Sequence, residues 1–242
     1  MAIIEYGTRF NLQTIKQFYP GYRMRLYYRI PEDSPLQEEL CQLACSEDIL
    51  DICDVNQLPA LGNVSAIYPL IWRFLPALDS QVDLMLSRDL DSVITSREQA
   101  AVSEFLSDPK KSFHVMRDHK QHNIGILGGT WAAKLDVPPM RDLMKAVLTK
   151  MLKDKNAIDF GDHRGIDQDM LMKYAWPLVV KKGLVLAHDS YFCKKYPFSV
   201  GFPTQRTKSR PPNFVGAVFK DGDASMVCPE ECRRGHTEWT HC

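Results

Sequence analysis

The sequence predicts a layered α/β fold, with helices on both faces of a mostly parallel mixed sheet. Three observations lead there. Short apolar runs of strand length alternate with longer segments whose apolar residues recur at helical spacing. Two of the runs, at residues 82–87 and 184–187, stop abruptly at acidic and histidine residues, as strands do where an open sheet builds a ligand site. At 242 residues, one such domain with loop insertions fits better than two full domains.

Residues 11–19 form the first predicted helix, with Leu12, Ile15 and Phe18 or Tyr19 on one face, and Pro20-Gly21 stops it. Residues 23–28 alternate as a strand, residues 35–45 follow as a helix, and residues 48–55 hold a short strand. A helix over 67–75 leads into the strand at 82–87. Thr95 or Ser96 caps the next helix: Ser96 with Gln99 three residues on has the form of a capping box before Ala100, Ala101, Val102, Phe105 and Leu106. Residues 113–116 return to strand, and residues 125–131 read as a glycine-rich loop. Residues 140–152 are a long helix, and residues 167–174 another, whose acidic first turn suits the helix dipole. The strand at 184–187 is followed by a stretch rich in Pro, Gly and charge from about residue 203, with one apolar island at 214–219.

Thirty basic and thirty acidic residues leave no net charge, so nothing global argues for a nucleic-acid partner. The basic runs at 181–182, 194–195 and 206–210 are brief and lack a regular aromatic series. No run of about 18 apolar residues offers an integral membrane segment. The first residues lack the basic region and long apolar core of a signal peptide, so the chain reads as soluble and cytoplasmic by default. No pattern sets an oligomeric state. Seven cysteines would leave at least one thiol over in a disulfide framework, and a chain of this length needs no staples. Cys228, Cys232, His236, His241 and Cys242 invite a zinc reading, but the spacing favours a loose tail with incidental thiols.

Several constellations could carry chemistry. Asp89 and Asp91 end an apolar strand two residues apart, where both can converge on one hard cation; the bland reading is a turn that caps the following helix. His188 and Asp189 close a second strand in the same way, and a histidine there favours a manganese-like ion. His114, Arg117, Asp118, His119 and His122 form the densest titratable cluster; strand alternation separates some of them, and Arg117 with Asp118 reads as a substrate-binding loop. Gly128 and Gly129 allow close backbone approach, and Trp131 offers a flat apolar surface. No Gly-Lys-Ser or Gly-Lys-Thr follows, so this is no Walker loop. Asp167 suits an N-cap, and Asp169 could meet a sugar hydroxyl or remove a proton.

In order, Trp72-Arg73-Phe74-Leu75-Pro76, Ser87-Arg88-Asp89-Leu90-Asp91-Ser92, Phe113-His114-Val115-Met116-Arg117-Asp118-His119, Ile126-Leu127-Gly128-Gly129-Thr130-Trp131, Asp167-Gln168-Asp169 and His188-Asp189-Ser190 resemble GT-A-type glycosyltransferase domains. The resemblance implies a GT-A-like three-layer sandwich over residues 1–219, followed by an irregular tail at 220–242. It implies a nucleotide-diphospho-sugar donor, a carbohydrate or other hydroxyl acceptor, and Mn²⁺ or Mg²⁺ held by Asp89, Asp91 and His188. Arg73 and Arg88 would then help hold the donor, with Gly128, Gly129 and Trp131 lining the pocket. Asp169, Asp167, Asp118 and His119 would be the candidates for catalysis. Such a domain opens with a strand that holds the base; here that strand is expected to be either reduced to residues 2–5 or truncated.

Two other classes use the same residues. A metal-dependent phosphohydrolase or nucleotidyltransferase would need extra carboxylates, which Asp118 and Asp189 could supply. A catalytically degenerate carbohydrate- or protein-binding domain would keep the fold alone. Convergence of Asp89, Asp91 and His188 beside one open pocket separates the metal-dependent transferase from that last class.

Overall fold

The structure, a computed structural model, describes residues 2–31, 33–206, 213–219 and 226–242. The predicted basic run at 206–210 is described only at Arg206, and residues 220–225 of the predicted tail lie outside the described residues.

Helix α1 (Ala2–Phe18) starts at Ala2 rather than at residue 11, so the residues expected to form a reduced first strand are helical. A tertiary contact accounts for the extra turns. A Cβ at Gly7 would sit 2.7 Å from the Leu90 carbonyl oxygen, and Asn11 donates to that same oxygen at 2.8 Å. The helix is thereby docked on the loop that carries Asp89 and Asp91. Its Leu12 packs with Leu43 and Leu50, while Ile15 and Phe18 pack against Ile94, Val102 and Met116.

Strands β1 (Met24–Tyr28) and β2 (Leu50–Asp54) pair in parallel through the crossover helix α2 (Pro35–Ser46). They make a small sheet of their own. The main sheet has four strands, β3 (Leu84–Arg88), β4 (Phe113–Arg117), β5 (Thr130–Lys134) and β6 (Val185–Asp189), in the order β3-β5-β4-β6. β5 runs antiparallel to both β3 and β4, and β6 runs parallel to β4. The expected single, mostly parallel sheet is thus two sheets among the described residues, with parallel and antiparallel ladders in equal number. The coarse expectation of a layered α/β fold stands. The loop expected over 125–131 gives way to β5 from Thr130 on; all five residues of β5 are buried, so the polar–apolar alternation that marks a strand in sequence is absent.

Alternation sorts the sheet into two faces. Met85, Phe113, Val115, Trp131, Ala133, Val185 and Ala187 join the main core. That core is closed by a 3₁₀-helical segment (Pro69–Leu78), by α4 (Met140–Met151), and by a helical run of α6 (Ile166–Met170), a π-helical turn (Leu171–Ala175) and α7 (Trp176–Lys181). Pro177 at the start of α7 brings no amide hydrogen, and the π turn just before it absorbs the break. The opposite face carries Leu84, Leu86, Ala132 and Leu186 against Phe105 of α3 (Ser96–Ser107). Thr95, rather than Ser96, is the cap of α3; its side chain accepts from the Glu98 amide at 3.2 Å. A short helix, α5 (Lys155–Ile158), begins after Asp154.

The described part of the tail is neither loose nor a zinc site. Cys193 pairs with Cys232 and Cys228 with Cys242, and the four cysteines pack together under Tyr191. Met226 and Cys242 exchange backbone hydrogen bonds, and Tyr191 Oη donates to the Cys242 carbonyl at 2.6 Å. Arg234 pairs with Glu104 of α3 at 2.5 Å. Cys41, Cys45 and Cys53 are free thiols. No helix among the described residues is long and apolar enough to cross a membrane.

Candidate active site at the carboxyl end of the sheet

Because β3, β4 and β6 run the same way and β5 runs against them, three carboxyl ends and one amino end share one edge of the main sheet. A cleft of about 370 Å³ opens there. It takes Asp89 from the end of β3, His122 from the loop after β4, Gly128, Gly129 and Thr130 from the start of β5, Arg73 from the 3₁₀ segment, and Gly165, Asp167 and Gln168 from the start of α6. Tyr68, Leu70 and Arg164 stand at its rim.

Arg73 is the centre of the cleft floor. The 3₁₀ segment buries Ile71, Trp72, Phe74 and Leu75 around it, so its guanidinium is held by a rigid apolar support. One terminal nitrogen pairs with Asp89 Oδ1 and the other with Asp167 Oδ2 at 2.5 Å. The two carboxylates differ sharply: the Asp89 side chain is 41% exposed and that of Asp167 only 2%. Burial pushes the Asp167 carboxyl up, against the pull of Arg73.

The two glycines are required by this floor. A Cβ at Gly128 would fall on Asp167 Oδ2 and the Arg73 guanidinium, and a Cβ at Gly129 on Asp89 Oδ2. Ser87, buried on β3, donates to the Gly128 carbonyl at 2.7 Å and fixes the loop. The wall of the cleft is therefore bare backbone pressed against the charged triad.

His122 is a donor rather than a ligand. The Asp118 backbone amide donates to its Nδ1 at 3.2 Å, which places the proton of the neutral ring on Nε2. Burial pulls its pKa down to about 4, with Asp118 opposing, so the ring is neutral at pH 7. No partner for Nε2 is present among the described residues.

Of the residues singled out by sequence, Arg73, Asp89, Gly128, Gly129 and Asp167 come together here. The others do not. Trp131, read as pocket surface, is 1% exposed and packs between Phe74 and Phe113, because its position on β5 points into the main core. Arg88 points to the opposite face, where it pairs with buried Glu98 and donates to the Val93 carbonyl at 3.1 Å. Asp118 is fully buried on that face: Arg97, Arg206 and Ser190 engage its carboxylate, and the Val215 amide donates to it. Burial alone would raise its pKa, but the two arginines hold it down at about 2. His119 stacks on Phe214 outside the cleft lining. Asp169 is exposed and meets His163 at 3.0 Å.

The expected metal set is not assembled. His188, one residue off the parity of the cleft, turns toward α3; its Nδ1 lies 2.7 Å from His114 Nε2 and its Nε2 3.4 Å from Glu104. Asp91 does not line the cleft. Among the described residues, no group of three or more His, Cys, Asp or Glu is placed to hold a metal ion. Sequence reading does not single out Tyr68, Leu70 or Arg164; it meets Gln168 only inside the Asp167-Gln168-Asp169 run and His122 only as part of the histidine-rich loop, where it could pair with His119.

No protein-family model matches the chain, and no curated protein matches it. Among solved structures, the chain is similar to the crystal structure of a glycosyltransferase involved in the glycosylation of the major capsid of PBCV-1, with 16% identity and a TM-score of 0.39, over 73% of this chain and 87% of that one.

Proposed function

We propose that the chain is a glycosyltransferase that moves a sugar from a nucleotide-diphospho-sugar donor to a hydroxyl acceptor. The observation that carries this reading is the Arg73 guanidinium, bridged to Asp89 and Asp167 on the floor of a cleft walled by Gly128 and Gly129. The ordered run of motifs leads to the same reading.

The chemistry follows from the charges. A nucleoside diphosphate leaves poorly unless its growing negative charge is met. Arg73 is paired with both buried Asp167 and the more exposed Asp89, so an incoming phosphate oxygen meets the solvent-facing pair first and can take the place of Asp89. The bare glycine wall lets the diphosphate approach the backbone. His122 Nε2–H supplies a neutral donor, and Arg164 at the rim adds a second positive charge. In a direct displacement, the acceptor hydroxyl loses its proton to a base. Asp89 and Asp167 are the carboxylates lining the cleft among the described residues, so that role falls to one of them.

One observation favours the binding-only reading: Asp89, Asp91 and His188 do not converge. The phosphohydrolase reading loses its extra carboxylates, since Asp118 is sealed against Arg97 and Arg206, and Asp189 against Arg117.

A panel of nucleotide-diphospho-sugars, with and without Mn²⁺, tests the proposal through ligand-induced melting shifts and donor hydrolysis. At least one donor should raise the melting temperature and be slowly hydrolysed, and Arg73→Met should weaken its binding by about tenfold or more. A shift without hydrolysis or transfer favours binding alone. A folded chain that answers no donor overturns the cleft's assignment.

A further inference from the structure

We propose that Asn63 carries an N-linked glycan, and hence that this chain matures in an oxidising, glycan-transferring lumen. Two independent features support it. The tripeptide Asn63-Val64-Ser65 is the sole Asn-x-Ser or Asn-x-Thr in the 242 residues, and its middle residue is not proline. The chain also closes two disulfides, Cys193–Cys232 and Cys228–Cys242, buried with Tyr191 against the end of β6. Structural disulfides of this kind persist where the thiol pool is oxidising and are rare in a reducing cytosol. The lumen that forms them in eukaryotic cells is also the one that glycosylates asparagine.

The folded geometry has room for the modification. Asn63 is exposed, as are its neighbours Ala60, Leu61 and Gly62, while Val64 between the two sequon residues is buried in the main core. The Val64 amide donates to the Val55 carbonyl at 2.8 Å, which pins the segment and leaves the residues beside it at the surface. Ser65 donates twice to Asn63, from its amide at 2.9 Å and from its hydroxyl at 2.7 Å, and both bonds end on Asn63 Oδ1. Asn63 Nδ2 has no partner among the described residues. Substitution of one of its hydrogens therefore breaks no bond of the fold. Asn63 does not itself line the cleft.

The step balances with a co-substrate of known chemical class. Nδ2 of Asn63 attacks the anomeric carbon of an oligosaccharide activated as a polyprenyl diphosphate, on the lumen's own oligosaccharide transferase. A C–N bond forms, the anomeric C–O bond breaks, the diphosphate leaves with the electron pair, and Nδ2 loses one proton.

The test expresses the full chain behind a secretory leader in a eukaryotic cell and reads the intact mass with and without peptide:N-glycosidase. The expected result is a single removable oligosaccharide, with Asn63 converted to aspartate on release and Cys193, Cys228, Cys232 and Cys242 resistant to alkylation. Asn63→Gln and Ser65→Ala should each lose the glycan, whereas Ser65→Thr should keep it, which separates loss of the sequon from loss of the fold. Secreted, disulfide-bonded chain with unmodified Asn63 overturns the site. Folded chain with those four thiols free removes the compartment argument and overturns the proposal.

Discussion

Asp89 and Asp118 each follow directly on a strand, β3 and β4, at the same edge of the main sheet, and each is met by arginine. The Asp89 side chain is 41% exposed in a cleft; that of Asp118 is wholly buried, with Arg97 and Arg206 on its oxygens. Strand parity decides the difference. Asp89 continues the side of β3 that carries Met85 and Ser87, whereas Asp118 continues the side of β4 that carries His114 and Met116 toward α3. The same residue type at the same height in the sheet therefore lines an open cleft on one face and is a buried ion-pair partner on the other.

The sealed side should respond most. Asp118→Ala leaves two arginines uncompensated in the interior and should destabilise the fold by about 3–5 kcal/mol in urea denaturation. A loss below about 1 kcal/mol would break the contrast, since Asp118 would then carry no structural load.

The cleft side should show itself through acid. Burial holds His122 down to about 4, below its ordinary 6.5, so the unfolded chain takes up a proton before the folded one does. The stability tied to His122 is complete above about pH 6.5 and drains away as pH falls toward 4, by roughly 3 kcal/mol. Comparing the pH dependence of unfolding free energy with that of His122→Gln isolates this part; equal slopes would mean that the ring is as open to water as a surface histidine.

The smallest effect belongs to a residue outside both regions. Asp169→Ala, which removes an exposed partner of His163, should change stability by less than about 0.5 kcal/mol and leave donor binding intact. A large loss of turnover there would enlarge the cleft beyond its present wall.

Much of the site was legible because it is written in short local runs. Arg73, Asp89, the Gly128-Gly129 pair and Asp167 lie in four separate motifs; three of these fall at the end or start of an element, and that of Arg73 lies within the 3₁₀ segment. Facing was not legible. Whether Arg88, Asp118 or His188 looks into the cleft or toward α3 depends on one residue of strand register, which no composition or spacing sets. Trp131 misled for a related reason: on β5, between two partner strands, a flat aromatic is core filler. Of the two disulfides, Cys228–Cys242 lies within the tail, but Cys193–Cys232 joins residues 39 apart, and nothing local to the tail announces Cys193 as a partner.

The glycine wall also bears on how such a cleft can diversify. Backbone atoms offer natural variation nothing to exchange, and any side chain at Gly128 or Gly129 lands on the charged triad. If the cleft binds a ligand as proposed, its selectivity can be retuned at lining side chains outside the triad, such as Tyr68, Leu70, Arg164 and Gln168. Libraries that randomise those four positions and leave the glycines fixed would sample the selectivities this scaffold can reach.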